Sequence, residues 1–253
     1  MYSNLPDIES LGVHEIKEFY RQYYLRGQCV IFVAGKIPAS LHKQLNEHLG
    51  KLQLGKPPVT LPTKEMIPAT EKKYRIQNDA AAVQGAIRLA SPFPNRHHPD
   101  FKKAIILNNV FGGFFGSRLM SNIREDKGYT YGIHSYLQNH IQQSAWMIST
   151  EAGKDVCEAT IEEVYKEMKK LREEKIGEEE LMLVRNYMIG GILGDLDGPF
   201  QIIAKWKNII LNNLTASYFY DSVHEIKTVS ANELQELANK YLQPEKFYEL
   251  VVY

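Results

Sequence analysis

Apolar positions along the chain recur mostly at helical spacing, broken by a few short runs with the alternation or clustering of strands. At the C-terminal end, residues 231–242 place Leu234, Leu237, Ala238 and Tyr241 on one stripe, and Pro244 stops that helix. The run 247–253, rich in Val and Tyr, then reads as a buried strand. The same unit appears near the start. Residues 14–24 carry Ile16, Phe19, Tyr20, Tyr23 and Tyr24 on a helical face, and 29–34 is an apolar strand. One constant shift aligns the two copies without a gap: Glu15 falls on Glu233, Ile16 on Leu234, Glu18 on Glu236, Phe19 on Leu237, Tyr23 on Tyr241 and Val33 on Val251. This correspondence predicts a duplicated domain of which the first copy is present only as its tail.

Between the copies, Pro57, Pro58, Pro62 and Pro68 cannot all sit in a helix or a central strand. The expected organisation is therefore a helix-strand-helix tail over 1–50, a Pro-rich linker over 51–70 and a complete unit over 71–253. If the two units are alike, about 150 residues belong ahead of Met1. Strand 29–34 would then lack most of its sheet and expose an apolar edge. It is expected to pack on the complete unit or to pair with another copy, giving a dimer.

The complete unit reads as α+β. Strands are expected over 72–77 and 83–91, and a helix over 100–111 with Asp100 as its N-cap. A second helix should run from Ser117, as N-cap, to Lys127, with Gly128 as its C-terminal stop. Residues 129–138 and 144–151 read as a hairpin pair. Helices follow over 155–172, 178–188, 200–214 and 216–227, the second with Glu178, Glu179 and Glu180 on the positive end of its dipole. Gly190, Gly191, Gly194 and Gly198 interrupt the helical pattern and predict a bend or hinge.

Composition narrows the class. In 253 residues, 44% are hydrophobic and 24% charged, enough apolar material for a real core. Lys plus Arg equals Asp plus Glu, 30 of each, which argues against a nucleic-acid partner and its concentrated basic face. No apolar run reaches the roughly 18 residues that span a bilayer. Cys29 and Cys157 are far apart and no C-x-x-C occurs, so there is no thiolate zinc knuckle. Two thiols fit a reducing compartment, and the cytoplasm is the expected location. The N-terminus is polar, with no signal peptide in it; a signal would sit on a preceding part.

The stretch that carries chemistry runs from Gly112 to Tyr136. No Lys-Ser or Lys-Thr follows its glycines, which excludes a P-loop. Gly112, Gly113 and Gly116 read on their own as relief of backbone crowding in a tight turn. Ser117 with His134 has no G-x-S-x-G elbow, so a hydrolase pair is not expected.

The run of glycines, then Ser117-Arg118-Leu119, Arg124-Glu125, Gly128, Tyr131 and Ser135, resembles the C-terminal, non-zinc-binding domain of the insulinase and mitochondrial-processing-peptidase zinc proteases. The resemblance implies a two-layer α+β domain, its mixed and mainly antiparallel sheet packed by helices. It also implies that Arg124 and Tyr131 contact substrate bound at the zinc of the other half. Arg offers a planar fork of donors for a carbonyl or carboxylate, and Tyr one hydroxyl suited to an oxyanion. Tyr129 competes with Tyr131 for that role, because strand alternation would put both on one face.

In the family, the active half carries His-x-x-Glu-His. That motif is absent here, and the eight histidines are His14, His42, His48, His97, His98, His134, His140 and His224. No cofactor is expected in this chain, with zinc only in the missing or partner half. The implied partners are a zinc-bearing peptidase domain or subunit and an extended peptide substrate held by strand addition, in a homo- or heterodimer. The alternative implied by the same family is a non-enzymatic peptide-binding or scaffold subunit.

Overall fold

The computed structural model describes residues 4–26, 29–55, 69–141 and 144–253. The chain divides into two compact units, one of residues 1–66 with 198–207, the other of 67–197 with 208–253.

In the first unit, α1 (Leu5–Glu9) opens with an Asn4–Asp7 capping box. Helix α2 (Val13–Phe19) widens into a π-helical turn over Tyr20–Tyr24, and α3 spans Leu41–His48. None of these helices has a buried residue. The strand expected over 29–34 does not form: those residues have no ladder partner, and the isolated bridge of this unit joins Arg26 to Gly55. A strand needs a neighbour to take its N–H and C=O groups, and no described residue offers one to 29–34. All four prolines of the expected linker lie outside the described residues.

The second unit is built on a five-stranded mixed sheet of order β1-β5-β2-β4-β3, with β1 (Lys73–Ile76), β2 (Gln84–Phe93), β3 (Thr130–Asn139), β4 (Ser144–Gly153) and β5 (Tyr248–Val252). Only β1 and β5 run parallel; the other pairs are antiparallel, as expected. Alternation along β2 buries Ile87, Leu89 and Phe93, and along β4 Trp146, Ile148 and Ala152. One layer of helices covers that face: α4 (Phe101–Asn108), α5 (Cys157–Glu173) and α9 (Ala231–Tyr241). Helix α6 (Glu178–Gly194), α7 (Pro199–Leu211) and α8 (Ala216–Thr228) lie between them in sequence. The opposite sheet face, including Arg88, Met147, Ser149 and His134, stays half-buried or exposed.

Three expectations about helix ends are corrected. Asp100 occupies the N-cap of α4, but its side chain caps nothing; Lys240 Nζ (2.6 Å) and Tyr241 Oη (2.7 Å) hold it instead, tying α4 to α9. Ser117 Oγ is buried with no hydrogen-bond partner among the described residues, and only its carbonyl serves the helix, accepting from Ser121 N at 2.9 Å. Helix α6 continues through Gly190 and Gly191, and the interruption falls only at its end, between Gly194 and Gly198, whose φ is 99°. Burial of Leu181 and Val184 holds the start of that helix, which outweighs the roughly 1 kcal/mol that each glycine costs within it.

Candidate functional site

The Gly112–Tyr136 stretch folds as turn, helix, turn and strand, and every step is pinned. Helix α4 widens into a π turn over Asn109–Gly113. Gly112 then passes against β3 so closely that a Cβ there would lie 2.7 Å from Ser135 Cβ and 2.8 Å from Leu119 Cδ1. Both neighbours are buried, so Gly112→Ala is expected to cost about 1–3 kcal/mol through overpacking. Urea unfolding checks this, and a variant as stable as the parent would contradict the close approach.

Arg118 forks onto Glu180 at the start of α6, with Nε–Oε1 at 2.7 Å and Nη2–Oε2 at 2.8 Å. This fixes the glycine turn to a helix more than sixty residues away in sequence. Phe114 stacks on Tyr187 of the same helix at 4.5 Å. The following helix is π-helical over Met120–Asp126, a form often found at functional sites. Gly128, at φ 66°, ends it: Gly128 N–H donates to Arg124 O and Tyr129 N–H to Ile123 O.

Strand β3 begins with a bulge. Thr130 pairs with Ala152 and Ile133 with Thr150, so Tyr131 and Gly132 together face the single residue Glu151. The groups freed by the bulge are bonded. Gly132 N–H donates to Thr130 Oγ1 (3.1 Å), which itself donates to Glu151 O (2.6 Å). Thr150 Oγ1 donates to Gly132 O (2.9 Å), and Ile133 N–H points at Met120 Sδ (3.4 Å).

The two tyrosines differ in burial. Tyr129 precedes the strand and packs on the core, whereas Tyr131 is 91% exposed. Alternation would have put them on one face, but Tyr129 lies ahead of the strand, in the turn that ends the helix, and both line the groove described below. Arg124 and Tyr131 come together: the Arg124 guanidinium carbon lies 5.2 Å from the Tyr131 ring centre and 4.6 Å from that of Phe115. Its Nε also lies 3.4 Å from Glu125 Oε1. Phe115, 62% exposed on the pinned glycine turn, escaped the sequence reading, because nothing in two adjacent phenylalanines shows which one leaves the core.

Beside Tyr131 an open groove of about 540 Å³ crosses the uncovered sheet face, lined among others by Arg88, Ser149 and His134. Among the described residues no three His, Cys, Asp or Glu side chains are grouped to hold a metal ion, so the donor set does not fit zinc. No described helix is long and apolar enough to cross a membrane.

Comparison with known proteins bears on family and fold. The family model described as the peptidase M16 inactive domain matches residues 10–188. The uncharacterized zinc protease YmxG of Bacillus subtilis (strain 168) is 26% identical over 190 residues, covering 75% of this chain and 45% of YmxG. The chain thus spans less than half the length of that relative. Among solved structures, the peptidase M16 inactive domain from Pseudomonas fluorescens superposes with a TM-score of 0.77 at 20% identity, over 98% of this chain and 59% of that one. A protease from Helicobacter pylori superposes at 0.80 with 14% identity, over 99% and 61%. These two likenesses speak to the fold, and the matched family model to descent: the chain belongs to the peptidase M16 inactive domain family.

Proposed function

We propose that this chain supplies the non-catalytic, substrate-contacting half of a zinc metallopeptidase and needs a His-x-x-Glu-His half for hydrolysis. The observation that carries the reading is the stacking of Arg124 beside the almost fully exposed Tyr131, at the mouth of a groove. In this reading Arg124 positions a peptide carbonyl or carboxylate with its fork of donors. The Tyr131 hydroxyl donates to the oxyanion that develops when a peptide carbonyl is attacked. Both tyrosines line the groove, and the contact of Tyr131 with Arg124 and its 91% exposure favour Tyr131 for this role over the partly buried Tyr129. Metal chemistry belongs to the partner half.

The proposed domain division is a preceding unit's tail over 1–50, a linker over 51–70 and the complete inactive unit over 71–253. Its support is the match of α2 with α9. The positions that bury Leu234, Leu237 and Ala238 in α9 hold Ile16 and Phe19 in α2 and Tyr20 in the π turn that continues it, all exposed. A face built for burial but left open fits a helix whose own domain lies elsewhere.

The test mixes the chain with the His-x-x-Glu-His half from the same source and follows cleavage of a peptide library. Activity is expected only in the mixture, with Tyr131→Phe lowering the rate about 10²-fold and Arg124→Ala by at least as much. Tyr131 is 91% exposed, so the unfolding free energy of Tyr131→Phe should hold within about 0.5 kcal/mol, whereas Arg124, 26% exposed, also packs on Phe115 and its variant's stability is measured alongside its rate. A stable complex whose properties ignore both substitutions would establish the scaffold reading instead.

A further inference from the structure

The sheet's uncovered face holds a cation that the site described so far does not use. Strand register places Arg88 of β2 opposite Ser149 of β4, and Ser149 opposite His134 of β3. All three lie on the side away from the helices, since their neighbours Ile87, Leu89, Ile148, Thr150, Ile133 and Ser135 are buried. They form one row across three strands and line the same groove as Tyr131.

Arg88 is half-buried, and no carboxylate lies at ion-pair distance from it among the described residues. Glu151, one row along the same face and exposed, lines the groove without reaching it. Arg88 Nη1 donates to the carbonyls of Ile87 (2.8 Å) and Thr150 (3.0 Å). Those neutral bonds fix the guanidinium on the sheet but leave its charge uncompensated. Nε and Nη2 bond nothing among the described residues. Those two nitrogens are one edge of the guanidinium fork, the edge that meets a carboxylate with two parallel hydrogen bonds. A positioned cation with a free fork, in a groove wide enough for a side chain, is complementary to a planar anion.

We infer that Arg88 is the anchor of a second subsite, which binds one carboxylate of the peptide ligand, from an acidic side chain or from the C-terminus. Ser149 and His134 stand beside it as further polar contacts. The subsite rests on the reading of Arg124 and Tyr131 as peptide contacts and adds a preference to it: peptides carrying a carboxylate a few residues from the carbonyl held at Tyr131 are favoured.

The experiment is an NMR titration of the full chain with four acetylated hexapeptides. One pair has an amidated C-terminus and differs only in Glu or Gln at one position. The second pair lacks acidic side chains and differs in a free or amidated C-terminus. At least one carboxylate peptide should bind about tenfold or more tightly than its neutral twin, and the pair that shows the difference names the source. Arg88→Gln should abolish that difference. Arg88→Lys, which keeps the charge without the fork, should restore only part of it. Retained β-strand amide shifts in both variants exclude simple unfolding.

Equal binding of both twins in the parent chain, or a difference that survives Arg88→Gln, overturns the subsite. Arg124→Ala and Tyr131→Phe are titrated in parallel. If they weaken every peptide while Arg88→Gln changes no ratio, the subsite alone fails. If they change nothing, the peptide-contact reading fails, whatever Arg88 does.

Discussion

Trp146→Ala is expected to destabilise the protein by about 3–5 kcal/mol, the range for deleting a large aromatic side chain from a closed core. Trp146 is 1% exposed on β4 and meets Phe93 edge to face at 5.4 Å. It also closes a polar circuit inside the core. Trp146 Nε1–H donates to Ser135 Oγ (2.8 Å), and Ser135 Oγ–H donates to Asn108 Oδ1 (2.7 Å). Asn108 Nδ2–H then donates to Ser135 O (2.9 Å). Every member is buried and bonded, so the circuit holds the end of α4 against β3 just beyond the bulge. The alanine variant loses the apolar area, leaves a cavity and removes a donor from Ser135. Trp146→Phe keeps most of the volume and should cost only about 1–2 kcal/mol, the scale of one buried hydrogen bond left unmade. Urea unfolding followed by far-UV circular dichroism separates the two. A Trp146→Phe variant as stable as the parent would show that the circuit contributes nothing beyond packing.

Arg75→Ala is expected to cost about 3 kcal/mol at neutral pH. Glu249 points from β5 into the helix-covered side and is 3% exposed. It receives Arg75 Nη2 at 2.7 Å and Tyr165 Oη at 2.8 Å, with Lys73 Nζ at 3.2 Å. Arg75 also forks onto the more exposed Glu158. Removing Arg75 leaves the buried Glu249 carboxylate with only the exposed Lys73 as counter-charge and Tyr165 as a neutral donor, and losing one partner of a buried pair costs more than the intact pair contributes. Burial by itself pushes the Glu249 carboxyl up, but the hydrogen bonds from Arg75, Tyr165 and Lys73 outweigh it and hold the pKa below the ordinary 4.5. A folded-state pKa below the unfolded one contributes stability that is present above about 4.5 and lost as pH falls through the folded value. The penalty of Arg75→Ala should therefore shrink below pH 4.5, because a protonated Glu249 no longer needs the guanidinium. Unfolding curves of both proteins between pH 7 and pH 3 test this; a penalty constant over that range would disconnect Arg75 from Glu249. Arg75 lies on β1, the parallel edge strand, so amide exchange in β1 should quicken first in the variant.

The elements of the second unit were legible because each carries its own local signal. The stripe of Leu234, Leu237 and Ala238, with the Ser230–Glu233 capping box ahead of it, marks α9 whatever it packs against. The alternation of Ile87 and Leu89 and of Trp146 and Ile148 marks β2 and β4, since a half-buried strand shows period two in the residues themselves. Gly128 marks a helix end because its φ of 66° suits glycine best. The failures have the opposite origin. Residues 29–34 carry a strand's composition, but a strand exists only against a partner, and composition cannot supply one. Asp100 and Ser117 have cap chemistry, yet Lys240 and Tyr241 claim the first and burial isolates the second.

For the site, the sequence by itself determined which residue types were available and their order: a glycine turn, Arg124 seven positions before Tyr131, and no His-x-x-Glu-His. Only the tertiary structure decided which tyrosine faces outward, because Tyr129 is held in the turn that ends the helix, its N–H bonded to Ile123 O, and strand alternation starts only at Thr130. Only the structure brought Phe115 against Arg124 and set Arg88 in line with Ser149 and His134. Periodicity reports on neighbours along one element. Register, and with it every contact between strands, is set where separate elements meet, and no local pattern records it.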